Sequence, residues 1–328
     1  MPDTLKVQEK AQPLLKVTDL AVRFGEVRAV DGVSFTIAPG ETLGLVGESG
    51  SGKSTVGRAI LQLVRSSGGT VELDGTDLGA LNGERLRTMR RKMQVVFQDP
   101  RGSLDPRMRI SAILAEPLVI HGLRDKTAMA DRVRDLMRLV GLHDDMADRF
   151  PHQISGGQAQ RVAIGRALAL EPALIVADEP VSSLDVSIQA QVMNLLADLR
   201  ASLGLSMLFI AHDLAVVRHI SDRIAVMYLG QIVELAPRDR IYAKPLHPYT
   251  RSLLSAVPVP DPARERARKR IILEGDPPSP DNPPPGCPLS SRCALRRELG
   301  DPAECEKRRP ALTETALGHH VACHFARE

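Results

Sequence analysis

Residues 47–55 read GESGSGKST, and they follow the short apolar run LGLV at residues 43–46. From Lys53 onward the apolar positions recur with the 3.6-residue period of an amphipathic helix. A strand, a glycine-rich loop and a helix in this order form the context that the phosphate-binding motif G-x-x-x-x-G-K-[ST] requires. The segment therefore predicts an α/β fold with a phosphate site between a strand and a helix. The predicted helix face comprises Val56, Ile60, Leu61 and Val64.

The residue types in this loop suit a bound nucleotide. Glycines let the backbone turn so that its N–H groups and the helix N-terminus face phosphate oxygens. Lys53 supplies a positive charge for the β- and γ-phosphates, and the Ser54 hydroxyl can bind Mg²⁺. A merely flexible Gly/Ser loop is the alternative, and the flanking strand and helix disfavour it. The predicted phosphate loop comprises Gly47, Glu48, Ser49, Gly50, Ser51, Gly52, Lys53, Ser54 and Thr55.

A second apolar run, ALIVADEP at residues 173–180, contains two adjacent carboxylates at its end. Neighbouring strand residues face opposite ways, so the pair can divide its work only where the strand ends and the backbone turns. Asp178 is placed to bind Mg²⁺, and Glu179 is placed to polarise an attacking water. An isolated acidic pair more often caps a helix. Together with the phosphate loop, however, this pair predicts nucleotide hydrolysis.

The segment HQISGGQAQRVAIGRAL, which begins at His152, places small residues before another helix. A helix N-terminus of this kind is a second site for an anion, and it suits a nucleotide that is bound by another molecule. Taken alone, the two glycines favour a simple turn. The residues concerned are Ser155, Gly156, Gly157 and Gln158.

The rest of the chain alternates short apolar runs with long segments of helical periodicity. This alternation requires crossover connections, and it predicts a mainly parallel sheet with helices on its faces. Residues from about 103 to 170 contain no strand-like run and are expected to form a helical insertion. The predicted strands are 15–17, 33–37, 42–46, 93–97, 173–177, 206–211 and 223–228.

With these motifs the sequence resembles the ATP-binding cassette family over roughly residues 15 to 260. The resemblance rests on ISGGQ at 154–158, Gln98 in VVFQDP, SSLD at 182–185 and His212 in FIAHD. It implies a P-loop NTPase fold with a RecA-like, mainly parallel core, an antiparallel β subdomain and a helical insertion. It also implies ATP and Mg²⁺ as ligands.

The resemblance also implies roles for residues outside the phosphate loop. Gln98 would bind Mg²⁺ and couple its site to a membrane partner, and Asp185 would communicate between subunits. His212 would contact the γ-phosphate and hold the attacking water together with Glu179. Phe24 would stack under the adenine, although a lone Phe in a β region is more often a core residue. In this family two cassettes enclose two ATP molecules head to tail, so we expect hydrolysis by a dimer and little by a monomer.

Three longer phrases look like the ATPase subunits of bacterial dipeptide and oligopeptide importers: VDGVSFTIAPGETLGLVGESGSGKST, VVFQDPRGSLDPRMRI and LHPYTRSLLSAVP. The sequences of these segments are nearer to the second of the two paralogous ATPases in such systems. The resemblance therefore implies a heterodimer, two transmembrane permease subunits and an extracytoplasmic substrate-binding protein. It places the chain peripherally at the cytoplasmic face of the bacterial inner membrane. ATPases of related nickel or sugar importers share these features and remain an alternative.

Composition argues against several other classes of protein. Lys and Arg number 43 and Asp and Glu number 40, so the net charge of +3 is too balanced for the whole surface to bind nucleic acid. Aromatic residues make up only 3%, with no Trp, which leaves little for stacking of single-stranded bases. Neither a secretory signal nor a membrane-spanning run of about 18 apolar residues is evident. We expect a folded cytosolic protein with no nucleic-acid partner; a soluble cassette switch acting on nucleic acid or ribosomes and a non-hydrolysing regulatory subunit are the alternatives.

Composition changes near Pro258. Of the 24 prolines, ten lie between Pro258 and Pro288, a density that prevents a regular helix or a central strand. We predict a polar leader at 1–14, a nucleotide-binding cassette domain at 15–257 and a Pro-rich and Cys-containing extension at 258–328. The basic segment ARERARKR at 263–270 indicates a solvated linker, with contact to acidic lipid or a partner surface as the alternative.

All four cysteines lie in this extension, and their clustering calls for a local cause. In the cytosol a stable disulfide is disfavoured, so metal ligation by thiolates is the better explanation. The spacing matches neither paired C-x2-C zinc knuckles nor a compact ferredoxin run. Resemblance to the dipeptide importer ATPases implies a [4Fe–4S] cluster; zinc, with His319, His320 or His324 as substitute ligands, and plain reduced thiols are the alternatives. The candidate ligands are Cys287, Cys293, Cys305 and Cys323.

Overall fold

The computed structural model describes residues 12–258, 261, 266, 270–279 and 281–326. Most of the predicted polar leader and most of the basic segment therefore lie outside the described residues. Among the residues that are described, no helix combines the length and the apolar character needed to cross a membrane.

The described strands form two sheets. All seven predicted strands are present, and three of them (42–46, 206–211 and 223–228) have the predicted bounds. The first two strands are longer than predicted, and the strands after residue 230 and between residues 68 and 77 are not predicted. The strands are β1 Leu15–Phe24, β2 Val27–Ile37, β3 Thr42–Val46, β4 Gly68–Leu73, β5 Thr76–Asp77, β6 Met93–Val96, β7 Leu174–Asp178, β8 Ser206–Ala211, β9 Arg223–Tyr228, β10 Gln231–Pro237, β11 Thr313–Ala316 and β12 His319–Val321.

The helices lie mostly between these strands. They are α1 Lys53–Ile60, α2 Gly83–Lys92, α3 Ile110–Ile120, α4 Lys126–Leu139, α5 Gly156–Leu168, α6 Val186–Leu203, α7 Leu214–Ile220, α8 Arg238–Ala243, α9 Pro248–Ala256, α10 Ala294–Glu298 and α11 Glu304–Lys307. Short 3₁₀ helices cover Asp144–Met146, Pro151–Gln153 and Ser290–Arg292.

The larger sheet has the order β11-β12-β10-β9-β3-β8-β7-β6. Its strands from β9 to β6 run parallel, which confirms the predicted mainly parallel core. Successive residues of β8 enter two different hydrophobic cores, because neighbouring strand residues face opposite sides of the sheet. Both faces of the sheet are therefore covered, which explains why its central strands read as uninterrupted apolar runs.

The smaller sheet has the order β2-β1-β4-β5, and all of its neighbouring strands are antiparallel. It provides the antiparallel β subdomain that the family resemblance implies. Buried residues of this sheet, such as Val22 and Phe35, share a core with Val56 and Ile60 of α1. The smaller sheet thus packs against the helix that follows the phosphate loop.

Helix α1 is shorter than the sequence predicts. The apolar periodicity continues to Val64, but the helix ends at Ile60 and Val64 lies beyond it. Gln62 adopts a left-handed conformation with φ of 55°, which stops the right-handed helix. Leu61 still lies in the core, where it is 5% exposed. The predicted apolar face is therefore only partly helical.

Residues between β6 and β7 contain α3, α4 and α5, and the structure describes no strand among them. This result confirms a helical segment where the sequence predicts one. Helices α3 and α5 pack closely, since a Cβ atom at Gly165 would lie 3.0 Å from Leu114. The bounds of a helical subdomain at about 103–170 stay a prediction.

The C-terminal extension is built into the larger sheet. Strand β12 pairs with β10, and β11 pairs with β12, both in antiparallel register. Below this pairing the fully buried carboxylate of Glu234 accepts hydrogen bonds from the N–H groups of Leu246 and His247, at 2.7 and 3.0 Å. It also lies 2.7 Å from Nε2 of His319, which β12 contributes. Burial would raise the pKa of Glu234, but hydrogen bonds from His319 and the two backbone groups help to lower the pKa overall.

Candidate nucleotide site

Two glycines of the phosphate loop lie so close to neighbouring backbone that no other residue could replace them without strain. Gly52, which precedes α1, has φ of 101°, and a Cβ atom there would lie 2.1 Å from the carbonyl oxygen of Ala29. At Gly47 a Cβ atom would lie 2.1 Å from the carbonyl oxygen of Met227. Side chains at these positions would displace backbone, so the glycines let the loop pack against β2 and β9.

Lys53 lies under the loop and is only 4% exposed. Its Nζ donates hydrogen bonds to the carbonyl oxygens of Gly47 at 2.8 Å and Glu48 at 2.9 Å. Burial lowers the pKa of Lys53, while the carboxylates of Glu179, Asp178 and Glu48 oppose that shift. A cation held in this way at the N-terminus of α1 suits phosphate oxygens.

Asp178 ends β7 opposite the start of α1. The Ser54 hydroxyl donates a hydrogen bond to Oδ1 of Asp178 at 2.7 Å. Burial raises the pKa of Asp178, and the hydrogen bond from Ser54 opposes that shift. Hydroxyl and carboxylate oxygens are the protein ligands that Mg²⁺ prefers beside a phosphate, so this pair fits the ion that the family implies.

Glu179 is held at the bend where β7 ends, with a left-handed φ of 47°. Its Oε2 accepts a hydrogen bond from Nε2 of Gln98 at 3.1 Å and lies 3.4 Å from Nδ1 of His212. Gln98 follows β6 and His212 follows β8. Because β6, β7 and β8 are parallel, their carboxyl ends bring the three side chains to the same end of the sheet.

These groups open into one cavity of about 390 Å³, a volume suited to a small-molecule ligand. Most of the residues predicted from the phosphate motif line it, with Gln98, Glu179 and His212 opposite. The first three residues of β2 and the β9–β10 turn also line it, and no sequence motif indicates either of them. The lining residues are Val27, Arg28, Ala29, Ser49, Gly50, Gly52, Lys53, Ser54, Thr55, Gln98, Glu179, His212, Leu229 and Gly230.

Other predicted residues lie outside this cavity. Phe24, at the end of β1, is 52% exposed and pairs with Val27 of the cavity wall. Ser155 caps α5, since its hydroxyl accepts the Gln158 N–H and the Gln158 side chain accepts the Ser155 N–H. Asp185 precedes α6, with no side-chain capping bond. The second glycine segment is thus a preformed helix N-terminus that does not face the phosphate loop cavity of its own chain.

A larger cavity of about 610 Å³ lies between the smaller sheet and the C-terminal extension. It contains none of the residues predicted for the nucleotide site. An ion pair between Arg309 and Asp31, at 2.6 Å, closes one side of it. The convergence of phosphate loop and carboxylates, and not cavity size, therefore identifies the candidate site.

The four cysteines come together although they are spread over 37 positions of sequence. They line one small enclosed space together with His247, Pro248 and His324. Burial raises the pKa of Cys287 to about 12, and the three other thiols add to that shift. Among the described residues, no three His, Cys, Asp or Glu side chains lie close enough to hold a single metal ion.

The histidines considered as zinc ligands are placed differently from one another. His319 is engaged with Glu234, and Nε2 of His324 bonds the carbonyl oxygen of Arg308 at 2.7 Å. His320 lines the larger cavity beside Arg309, away from the thiols. This arrangement does not assemble the four-coordinate site that structural zinc requires.

A phosphate loop at a helix N-terminus, facing a carboxylate at the end of a neighbouring parallel strand, defines a nucleotide-hydrolysing protein of the P-loop class. Comparison with known proteins narrows this class. The ABC transporter family model matches residues 30–182, and the oligopeptide/dipeptide transporter C-terminal region matches residues 233–299. The second match spans the predicted boundary at Pro258.

Relatives of known description cover almost the whole chain. The chain is 50% identical to the oligopeptide transport ATP-binding protein OppF of Salmonella typhimurium over 97% of both chains. It is 49% identical to AppF of Bacillus subtilis, over 92% of this chain and 91% of AppF. The chain belongs to the ABC transporter family and is one of its ATPases.

Solved structures agree with this assignment. The ATP-binding cassette MJ0796, described as dimeric and bound to ADP and Pi, is 31% identical with a TM-score of 0.62, covering 68% of this chain and 98% of that chain. The protein cbiO1 of Clostridium perfringens, part of the transporter complex cbiONQ, is 25% identical with a TM-score of 0.65, covering 71% and 91%. The ATP-binding cassette fold is therefore confirmed.

Proposed function

We propose that this chain hydrolyses ATP to power the import of di- and oligopeptides across the bacterial cytoplasmic membrane. The observation that carries the proposal is the 50% identity to a protein named for oligopeptide transport, over 97% of both chains. The match of residues 233–299 to the oligopeptide/dipeptide transporter C-terminal region supports the same substrate class. We further propose the division into a cassette domain at 15–257, with its helical part at about 103–170, and an extension at 258–328.

In this function the phosphate loop binds the triphosphate. Its N–H groups and Lys53 stabilise phosphate oxygens. Ser54, Asp178 and Gln98 would hold Mg²⁺, which would neutralise part of the phosphate charge. The carboxylate of Glu179 accepts the proton of the attacking water. The contacts of Glu179 with Gln98 and His212 support this role, because they fix the carboxylate at the mouth of the cavity.

We assign the second glycine segment to the nucleotide of a partner cassette. The α5 N-terminus is exposed, and the capping bonds of Ser155 and Gln158 preorganise it for an anion. In a head-to-tail dimer Ser155, Gly156 and Gly157 would meet the γ-phosphate on the partner, and Asp185 would lie near the same interface. Phe24, on the same side as Val27, is placed to stack on the adenine.

Peptide import requires partners that the chain itself does not contain. We propose a paralogous ATPase as the second cassette, two transmembrane permease subunits and an extracytoplasmic substrate-binding protein, with this subunit at the cytoplasmic face of the inner membrane. Affinity capture from native membranes, followed by identification of the co-purified subunits, tests this assembly. We expect permeases and a peptide-binding protein.

The same captured complex distinguishes the substrate class. After reconstitution in vesicles with its binding protein, ATP hydrolysis should rise on addition of peptides and not of nickel or sugars. Stimulation by nickel or a sugar alone would reassign the substrate, and recovery of ribosomes in place of permeases would refute the transport function.

We also propose that Cys287, Cys293, Cys305 and Cys323 hold a [4Fe–4S] cluster. Each iron of such a cluster takes one thiolate, so its ligands surround a volume and do not converge on one point as they do around a single ion. The grouping of four thiols around one space supports this donor set. Such a cluster would supply a redox-active centre, and the burial of Cys287, Cys293 and Cys305 would keep it from water.

Anaerobic purification followed by iron and sulfide analysis tests the cluster. We expect about four irons and four sulfides per chain and visible absorption near that of iron–sulfur proteins. A Cys305→Ser variant should lose most of the iron. A colourless, iron-free preparation that contains zinc would show that the thiols hold zinc instead.

A further inference from the structure

Residues from the C-terminal third of the chain contact Glu48 of the phosphate loop. The backbone N–H of Glu48 donates a hydrogen bond to the phenol oxygen of Tyr249 at 2.9 Å. The side chain of Glu48 accepts a hydrogen bond from Arg292, with 3.4 Å between Nη1 and Oε2. The same Arg292 nitrogen lies 3.3 Å from the phenol oxygen of Tyr228. Two tyrosines and an arginine thus fix one residue of the loop that binds phosphate.

Arg292 is well placed to act on Glu48 by charge. Its side chain is 10% exposed, while that of Glu48 is 37% exposed, so the pair lies partly out of water. A pair in such a position is less screened than an exposed one. Arg292 also ends the 3₁₀ helix that precedes Cys293, and β12 and the Glu234 network tie this extension to the cassette. Its position is therefore set by the fold and not by a flexible tail.

The negative charge of the Glu48 carboxylate disfavours a nucleotide bound at the phosphate loop. Burial lowers the pKa of Lys53 and the charge of the Glu48 carboxylate opposes that shift, so this carboxylate acts on the Lys53 cation. The backbone carbonyl oxygen of Glu48 also accepts a hydrogen bond from Nζ of Lys53 at 2.9 Å. A free carboxylate here would repel the triphosphate, and it could pair with the Lys53 cation that the triphosphate needs. Arg292 offers the Glu48 carboxylate another partner, at 3.4 Å.

We propose that Arg292 is a positioning residue for nucleotide binding, which holds the Glu48 carboxylate away from Lys53 and neutralises its charge. The proposal rests on the nucleotide function assigned to residues 47–55. It makes the cysteine-bearing extension a determinant of nucleotide affinity, because the arginine that it contributes sets the charge at the phosphate loop.

The chain provides a matched control for this contact. Arg309 also reaches from the extension to the cassette, where it pairs with Asp31 at 2.6 Å. Asp31 belongs to β2 and does not line the nucleotide cavity. Loss of the Arg309 contact therefore reports what any loosened extension does to the protein, without a change of charge at the phosphate loop.

The test measures equilibrium binding of a fluorescent, slowly hydrolysed ATP analogue with Mg²⁺ to the full-length protein. We expect Arg292→Met to weaken binding by about tenfold, the scale of one lost charge-assisted hydrogen bond. Arg292→Lys should keep affinity within about threefold of wild type, and Arg309→Met should change it by less than about twofold. In the transport complex Arg292→Met should raise KM for ATP and leave kcat nearly unchanged.

The decisive variant is the double substitution Arg292→Met with Glu48→Gln. If the charge of Glu48 is the cause, the double variant recovers most of the lost affinity; if Arg292 is only a structural brace, the double variant binds as weakly as Arg292→Met. Unchanged binding by Arg292→Met, or no recovery in the double variant, overturns the proposal.

Two further outcomes are informative. Should Arg292→Met fail to fold, Glu48→Gln alone carries the test, because the proposal requires it to bind the analogue at least as tightly as wild type, and weaker binding refutes the proposal. A wild-type protein that binds no nucleotide would refute the proposed function itself, which separates the two failures.

Discussion

Replacement of Glu179 by Gln is expected to lower the rate of ATP hydrolysis by roughly 10²- to 10⁴-fold, the range of a lost general base. The amide keeps the shape and the hydrogen bonds with Gln98 and His212, but it cannot accept the proton of the attacking water. Binding of ATP should persist, because Lys53, Ser54 and Asp178 are unchanged. Phosphate release by the transport complex, measured at saturating ATP, checks this expectation.

The same variant should accumulate an ATP-bound dimer, since closure precedes hydrolysis and reopening follows it. Size-exclusion chromatography of the two cassettes with ATP would detect that species. Glu84→Gln, at an exposed position in the first turn of α2, is the control and should hydrolyse like wild type. Equal rates for Glu179→Gln and wild type would remove Glu179 from the mechanism and favour the non-hydrolysing regulatory alternative.

Replacement of Glu234 by Ala is expected to lower the free energy of unfolding by about 3–5 kcal/mol. The substitution leaves the N–H groups of Leu246 and His247 and the ring of His319 without their buried acceptor. Each buried donor left unpaired costs about 1–3 kcal/mol, so three such donors together cost at least about 3 kcal/mol. Three parts of the fold, β10, the start of α9 and β12, would lose their common partner.

Urea unfolding, followed by circular dichroism at neutral pH, measures this loss. Glu234→Gln should cost less, because its amide oxygen still accepts one or two of the bonds. Glu304→Ala, at an exposed position of α11, is the control and should stay within about 0.5 kcal/mol of wild type. A loss below about 1 kcal/mol for Glu234→Ala would show that water replaces the carboxylate and that the network contributes little.

The parallel core could be predicted from sequence because its strands are covered on both faces. Runs such as SMLFIA and RIAVMY are almost wholly apolar, and β8 and β9 match their predicted bounds. Strand β10 is buried, but its apolar run does not predict a strand because Glu234 interrupts it. The partners of Glu234 lie in β12 and in the two residues before α9. Strands β11 and β12 are short and partly polar, so no local pattern marks them.

In the nucleotide site, too, local motifs can be predicted from the sequence, but contacts between distant residues cannot. Lys53, Ser54, Asp178 and Glu179 stand in contiguous motifs whose chemistry requires their spacing. In the structure Lys53, Ser54 and Glu179 line one cavity, and Asp178 accepts a hydrogen bond from Ser54. The contact between Glu48 and Arg292 spans 244 positions, and nothing near either residue indicates the other. Contacts of this kind depend on the whole chain folding back, and only the three-dimensional structure reveals them.

The pairing of β12 with β10 has a consequence for shortened forms of the protein. Without the last 70 residues, β10 would become an edge strand with unpaired N–H and C=O groups, and Glu234 would lose His319 as its partner. Such an edge strand can pair with strands from other molecules. We therefore expect a chain that ends at Pro258, where the composition suggests a domain boundary, to self-associate and precipitate. The extension thus protects the edge strand β10 from aggregation.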